Sequence, residues 1–236
     1  MGRVFDQPAA SLNRVRAAFD RAPYTVAAVR ELLGPVAGGA LARDEIVPAL
    51  RATAGGSPLE TLVRLFWLQV PVPDRSPLAD DLVAAGLAER SGGEVRALLR
   101  VEPVESVSGH GHVGYAVSDL KVRPGGGATP KPDHVVGTGG ASAGLARLIT
   151  DRAVGDALDL GTGCGVQALH LADAAVRPAP RAITATDVNP RALRLAALSF
   201  ALSGLDGVEL LHGPLLEPVR GRRFDLVVSN PPFVIA

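Results

Sequence analysis

Two short stretches of this chain hold residues whose types and spacing could do chemistry, and an isolated acid stands between them. The first is Asp159-Leu-Gly161-Thr162-Gly163-Cys164-Gly165, set between a short apolar run and a helical pattern. Glycines at alternate positions let a backbone turn sharply and approach a bound group, because side chains would fill that space. The ligand of such a loop lies on main chain. The acid is Asp187, at the end of the apolar stretch 182–187, where a carboxylate can accept hydrogen bonds from both hydroxyls of a ribose. The second stretch is Ser229-Asn230-Pro231-Pro232-Phe233, directly after the apolar run FDLVV. Its two prolines fix φ and lack N–H groups, so they form a rigid extended corner whose carbonyls are free of any ladder.

The spacing discriminates among nucleoside cofactors. A dinucleotide fingerprint reads G-x-G-x-x-G/A, but Val166 stands where its third small residue is required, which argues against a pyrophosphate ligand. The loop resembles motif I of the class I S-adenosylmethionine-dependent methyltransferases, D-x-G-x-G-x-G, with Asp159, Gly161, Gly163 and Gly165 matching residue by residue. The closing stretch resembles the N/D-P-P-Y/F/W motif of the amino-methyltransferases, which act on planar nitrogens of adenine, cytosine, guanine or the glutamine amide. Over about residues 141–236 the chain is most similar to the HemK/PrmC-like small-domain branch, whose members methylate glutamine in release factors and carry a helical N-terminal domain. Two departures stand out: residues 134–142 replace that family's P-R-P-E-T segment, and Phe233 replaces its tyrosine. Ribosomal RNA guanine-N2 methyltransferases of the small-domain type also use N-P-P-F.

The resemblance implies S-adenosyl-L-methionine as cofactor, held by Asp159, Gly161, Thr162, Gly163, Cys164, Gly165, Asp187 and Asn230. Pro214 stands where the family often has a polar residue near the adenine, so that contact is expected from Gly213 and Leu215. Thr138, Gly139 and Gly140 are expected to approach the methionine end. The implied catalytic group is Asn230, Pro231, Pro232 and Phe233. The Asn230 amide oxygen and the Pro231 carbonyl would accept hydrogen bonds from one NH2 group, turning its lone pair toward the methyl, while Phe233 offers a stacking face. Positioning and electrostatics then supply the rate, with neither a general base nor a covalent intermediate. The expected acceptor is a macromolecule, a release factor-like protein or ribosomal RNA. No base is placed to activate Cys164, which reads as a small residue of the loop, and His170 reads as structural. His110, His112 and His134 lack a carboxylate or thiol cluster at ligand spacing, so no metal site is expected.

The elements that must position these residues follow from the pattern. From residue 141 onward, strand-like runs at 157–160, 182–187, 208–213 and 224–230 alternate with helical ones, which predicts a Rossmann-like parallel sheet with ligands at the carboxyl ends of its strands. Residues 1–105 predict a mainly helical domain; its last part reads as a helix, a Ser-Gly-Gly turn and a strand, an order resembling a winged helix. Residues 106–140 read as a strand and a Gly/Pro-rich connection, and 141–236 as half of a catalytic domain. The methyltransferase fold has seven strands, usually ordered 3-2-1-4-5-7-6, and this chain reaches the fourth. The sheet is therefore expected to be incomplete at its C-terminal side, and the chain to be the N-terminal portion of a longer protein.

Bulk properties narrow the function. With 236 residues, 47% of them hydrophobic, a sizeable core is within reach. Lys+Arg and Asp+Glu both number 24, so no global field points to nucleic acid or an anionic membrane. A single cysteine excludes an internal disulfide framework. The N-terminus lacks the continuous apolar core of a signal peptide, and no window approaches a membrane span, so the cytoplasm is the expected location. Two alternatives remain from other classes: a cofactor-binding or interaction protein without turnover, and a winged-helix regulator that binds nucleic acid. Asp80 and Asp81 open the candidate recognition helix and would repel phosphate, which counts against the regulator.

Overall fold

The computed structural model describes residues 9–76, 78–109, 111–122, 131–149, 152–176 and 178–231. The chain forms two compact units, Met1–Pro103 with Ser118–Lys131, and Val104–Val117 with Pro132–Ala236.

The first unit is mainly helical. It contains α1 (Ala9–Arg21), α2 (Val26–Leu41), α3 (Val47–Ala52), α4 (Pro58–Leu62) and α5 (Ala79–Ala84), with strands β1 (Val72–Pro73), β2 (Ala88–Ser91) and β3 (Glu94–Ala97) in the antiparallel order β1-β3-β2. Apolar residues at helical spacing place Val15, Phe19, Leu62, Leu65 and Phe66 in its core. Phe19 packs edge-on against Tyr24 and Phe66, with ring centroids 5.2 and 6.2 Å apart. The Tyr24 hydroxyl donates to the Val101 carbonyl at 2.7 Å and accepts from Trp67 Nε1 at 3.0 Å. Ser57 and Glu60 form the capping box their spacing predicts: Glu60 N donates to Ser57 Oγ at 3.3 Å, and Ser57 N to Glu60 Oε2 at 2.7 Å.

Three helices differ from the sequence reading. The pattern predicts a helix ending at Gly34, yet α2 runs on to Leu41 past a break where Gly34 has φ +63°. Pro35 cannot donate to the preceding turn but suits the first position of a new one, so it restarts the helix. A single helix is also expected over 57–70. Instead α4 passes into a π-helical turn, Val63–Leu68, which ends at the left-handed Gln69. Over residues 76–104 the pattern predicts a helix, a Ser-Gly-Gly turn and a strand; instead α5 stops at Ala84, and Ala88–Ser91 is already strand β2, joined to β3 in a hairpin through Gly92 and Gly93. The acids on α5 are paired inside the unit, Asp81 with Arg14 at 2.7 Å and Asp80 with Arg90.

Strands β4 (Arg100–Glu105) and β5 (His112–Ser118) pair with each other. In the second unit come α6 (Gly140–Leu148), β6 (Asp156–Leu160), α7 (Val166–Leu171), β7 (Ala182–Asp187), α8 (Pro190–Ser203), β8 (Glu209–His212) and β9 (Leu226–Ser229). The four strands from β6 onward form a parallel sheet of order β8-β7-β6-β9, the α/β architecture expected. Ala157, Leu158, Leu169, Leu171, Ala196 and Leu202 are fully buried around it. Asn189 caps α8 by accepting from Arg191 N at 2.9 Å, Pro190 takes its first turn, and Gly204 ends it in the left-handed region. Serines of α8 hold β5: Ser203 and Ser199 Oγ accept from Tyr115 N and Val117 N, each at 2.8 Å. The chain leaves β6, at the centre of the sheet, for β7 on one side and later returns to its other side with β9. This is the reversal of strand order beside which α/β sheets bind ligands. Among the described residues no helix is long and apolar enough to cross a membrane.

Candidate active site

The glycine loop leaves β6 and folds onto the end of β7. Gly161 N and Thr162 N both donate to the Thr186 carbonyl at 2.9 Å, and Gly163 N donates to Asp187 Oδ2 at 2.9 Å. All three glycines have positive φ, +72°, +56° and +83° for Gly161, Gly163 and Gly165, a region that side chains disfavour. Their surroundings differ. A Cβ at Gly161 or Gly163 would meet nothing within 4 Å, so their backbone borders open space, whereas one at Gly165 would lie 2.6 Å from Phe200 Cε1. The first two glycines thus leave room for a ligand, and the third lets α7 pack against α8.

Asp159 anchors the loop from below. It is 1% exposed, and its Oδ2 accepts from Thr162 Oγ1 at 2.6 Å and from Ala168 N at 3.2 Å. Its Oδ1 is buried and has no partner among the described residues. Burial pushes the carboxyl up to about 6; the Thr162 and Ala168 hydrogen bonds offset part of that rise, and the charge of Asp187 adds to it. The Thr162 and Cys164 side chains are buried, so Thr162 serves the loop through Asp159.

Asp187 ties three loops together at the end of β7. Besides Gly163, it accepts from Asn189 N through Oδ1 at 2.8 Å, and its carbonyl accepts from Gly213 N at 3.1 Å in the loop after β8. His212 Nε2 lies 3.0 Å from the Val188 carbonyl and joins the same two loops. Leu215, with φ +46°, is 78% exposed, and Val188 and Leu216 beside these loops are exposed too.

The corner after β9 sits beside the glycine loop because β9 pairs with β6, Ser229 opposite Leu160. Ser229 Oγ donates to the Leu160 carbonyl at 2.8 Å. The half-buried Asn230 donates through Nδ2 to Ser142 Oγ at 3.2 Å, and Pro231 is exposed. Pro232 and Phe233 lie outside the described residues. Gly139 caps α6 and Gly140 begins it, at the helix end that carries Ser142. Ser142 and Gln167, whose Nε2 donates to the Ser142 carbonyl at 2.8 Å, are not among the site residues the sequence predicts. Ser142 closes the segment 134–142, the one that departs from the resembled family. Among the described residues no group of three His, Cys, Asp or Glu side chains is placed to hold a metal. In the first unit a cavity of about 1010 Å³, lined in part by Arg30, Leu33, Trp67, Arg100 and Lys121, is marked by no sequence motif.

Residues 138–236, which contain this whole constellation, match the family model described as the methyltransferase small domain. Over this domain the chain is similar to the class I methyltransferases of the HemK/PrmC-like type. S-adenosylmethionine is the cofactor of that class. A release factor glutamine methyltransferase of Deinococcus radiodurans is 51% identical over 77 residues, 33% of this chain and 26% of the relative. The Koribacter versatilis protein of the same description is 30% identical over 169 residues, 69% of this chain and 52% of the relative. The matches thus span about a quarter to a half of these relatives' length. A solved structure, the T. thermophilus 16S rRNA N2 G1207 methyltransferase in complex with AdoMet and guanosine, is 18% identical with a TM-score of 0.41, over 70% of this chain and 47% of that one. Residues 21–98 match a domain of unknown function, DUF7059.

Proposed function

We propose that this protein moves a methyl group from S-adenosylmethionine to a planar NH2 nitrogen of a macromolecule, with a protein glutamine amide as the acceptor. The observation that carries this reading is that the glycine loop, Asp187 and Asn230, far apart in sequence, lie together at the carboxyl ends of β6, β7 and β9. The naming of the Deinococcus and Koribacter relatives supports the amide, and the N-P-P-F ending makes an RNA base the competing acceptor. Both acceptors belong to translation, so the cytoplasm is the proposed place of action.

The residues present fit the cofactor. Gly161 and Gly163 border open space into which a ligand can come against main chain. The buried Asp159 Oδ1, without a partner among the described residues, is an acceptor suited to an ammonium at the methionine end. Each Asp187 oxygen gives one lone pair to a main-chain N–H and keeps another for a ribose hydroxyl. Gly213 and the exposed Leu215 frame the adenine side in this reading. Bound here, S-adenosylmethionine supplies an electrophilic methyl group. Asn230 Oδ1 and the Pro231 carbonyl accept the two N–H groups of the acceptor, which leaves its lone pair facing away from the corner, and Phe233 supports the planar group. The nitrogen sheds its surplus proton to solvent.

The test is methyl transfer from tritiated S-adenosylmethionine to release factors and to ribosomal RNA by the full-length protein, alongside calorimetric titration with the cofactor. Label in a release-factor glutamine is the expected result, and label in RNA alone would move the acceptor to a base. Cofactor binding with no transfer to any fraction would favour a binding protein without turnover. Salt-dependent DNA binding that survives Asn230→Ala would favour the regulator. Absence of cofactor binding would overturn the proposal.

A further inference from the structure

We infer that Ser142 is a positioning residue that orients the Asn230 amide for its acceptor; the inference rests on the reading of Asn230 as the hydrogen-bonding corner for an NH2 group. The torsion that sets an asparagine amide plane is broad, so Asn230 without a tether would sample many orientations. Ser142 supplies the tether. Its Oγ accepts from Asn230 Nδ2 at 3.2 Å across 88 positions of sequence. With the donor side of the amide engaged, Oδ1 is the atom left for an incoming N–H, and no described residue donates to it.

The tether is itself held. Ser142 is 8% exposed, and its carbonyl accepts from Nε2 of the buried Gln167 at 2.8 Å. Gln167 lies in the first turn of α7, next to Ala168, whose N–H donates to Asp159. One continuous set of contacts therefore runs from the carboxylate beneath the glycine loop, through Gln167 and Ser142, to the amide of Asn230. The cofactor side and the acceptor side share one frame, and Ser142 is the last contact before the acceptor.

The experiment compares wild-type full-length protein with Ser142→Ala, Ser142→Thr and Ser142→Ala/Asn230→Ala. Ser142→Ala is expected to lower kcat about tenfold while the Kd for S-adenosylmethionine stays within about twofold. Ser142→Thr, which keeps the hydroxyl, should recover kcat to within about threefold. In the Asn230→Ala background the loss of the hydroxyl should have no further effect. A readout independent of activity is hydrogen exchange of the Asn230 side-chain amide, followed by NMR. Protection in the wild type and in Ser142→Thr, lost in Ser142→Ala, is the expected pattern. Wild-type kcat in Ser142→Ala, failure of threonine to rescue, or unchanged exchange would each overturn the inference. A wild-type protein that shows the tether by exchange yet transfers no methyl group would instead count against the proposed function.

Discussion

The two ends of the candidate site are held by different means. At the proposed cofactor end the loop after β6 is fastened through main chain: Gly161, Thr162 and Gly163 donate their N–H groups to the end of β7. At the proposed acceptor end a side chain, Asn230, is presented, and its hold among the described residues is one side-chain hydrogen bond to Ser142. A backbone-built end owes its shape to residues that lack side chains, so substitutions there act by adding atoms. A side-chain-built end depends on particular functional groups, so substitutions act by removing them.

The largest test of that difference is Asn230→Ala. Methyl transfer should fall about 100- to 1,000-fold, on the scale seen when one preorganised hydrogen-bonding group is lost, with a far smaller loss of cofactor affinity, under about tenfold. Radiometric rates set against calorimetric Kd values check it, and an equal loss in both would mean that the ends are not separable.

Asp159 gives the next effect, and its sign follows from burial. Its folded value near 6 lies above the ordinary 3.8. Between about pH 4 and 6 the folded protein therefore keeps a proton that the unfolded chain has released, and stability falls as pH rises through that window. The cost reaches about 3 kcal/mol above pH 6. Asp159→Asn, neutral at all pH, should be less sensitive to pH over this range. Thermal midpoints of wild type and variant between pH 4.5 and 7 should diverge, and parallel curves would show that the carboxyl is not held in an apolar setting.

The smallest effect divides the loop itself. Gly165→Ala forces a Cβ onto Phe200 at a left-handed φ and should cost about 2 kcal/mol of stability, lowering the melting temperature by several degrees. Gly161→Ala faces open space, so it should cost only about 1 kcal/mol of backbone strain while weakening S-adenosylmethionine binding. Equal melting temperatures for the two variants would erase the distinction between a packing glycine and a ligand-facing one.

Much of this site was legible because its parts are local. The glycines of 161–165 announce a backbone that must turn and be approached; Asn189 and Pro190 announce a helix start, and α8 begins there. The Ser57–Glu60 capping box was legible for the same reason, its partners being one helical turn apart. Where local signals competed, the reading failed: Gly34 marks a stop, yet Pro35 restarts α2, because the same residue that cannot continue one helix is well suited to begin another. The π-helical turn at Val63–Leu68 left no trace in the periodicity.

The sequence by itself determined which atoms are available for chemistry: main chain at 161–165, carboxylates at 159 and 187, and an amide followed by prolines at 230–231. These depend on residue type and on near neighbours, which spacing records. Only the tertiary structure decided which of those atoms meet. The placement of β9 beside β6 brings Asn230 next to the glycine loop, Phe200 makes Gly165 a packing residue, and Ser142 reaches Asn230 across 88 positions. Such contacts are set by how strands are ordered and how helices pack on them, and a side chain with many possible partners in sequence acquires one only when that packing excludes the rest.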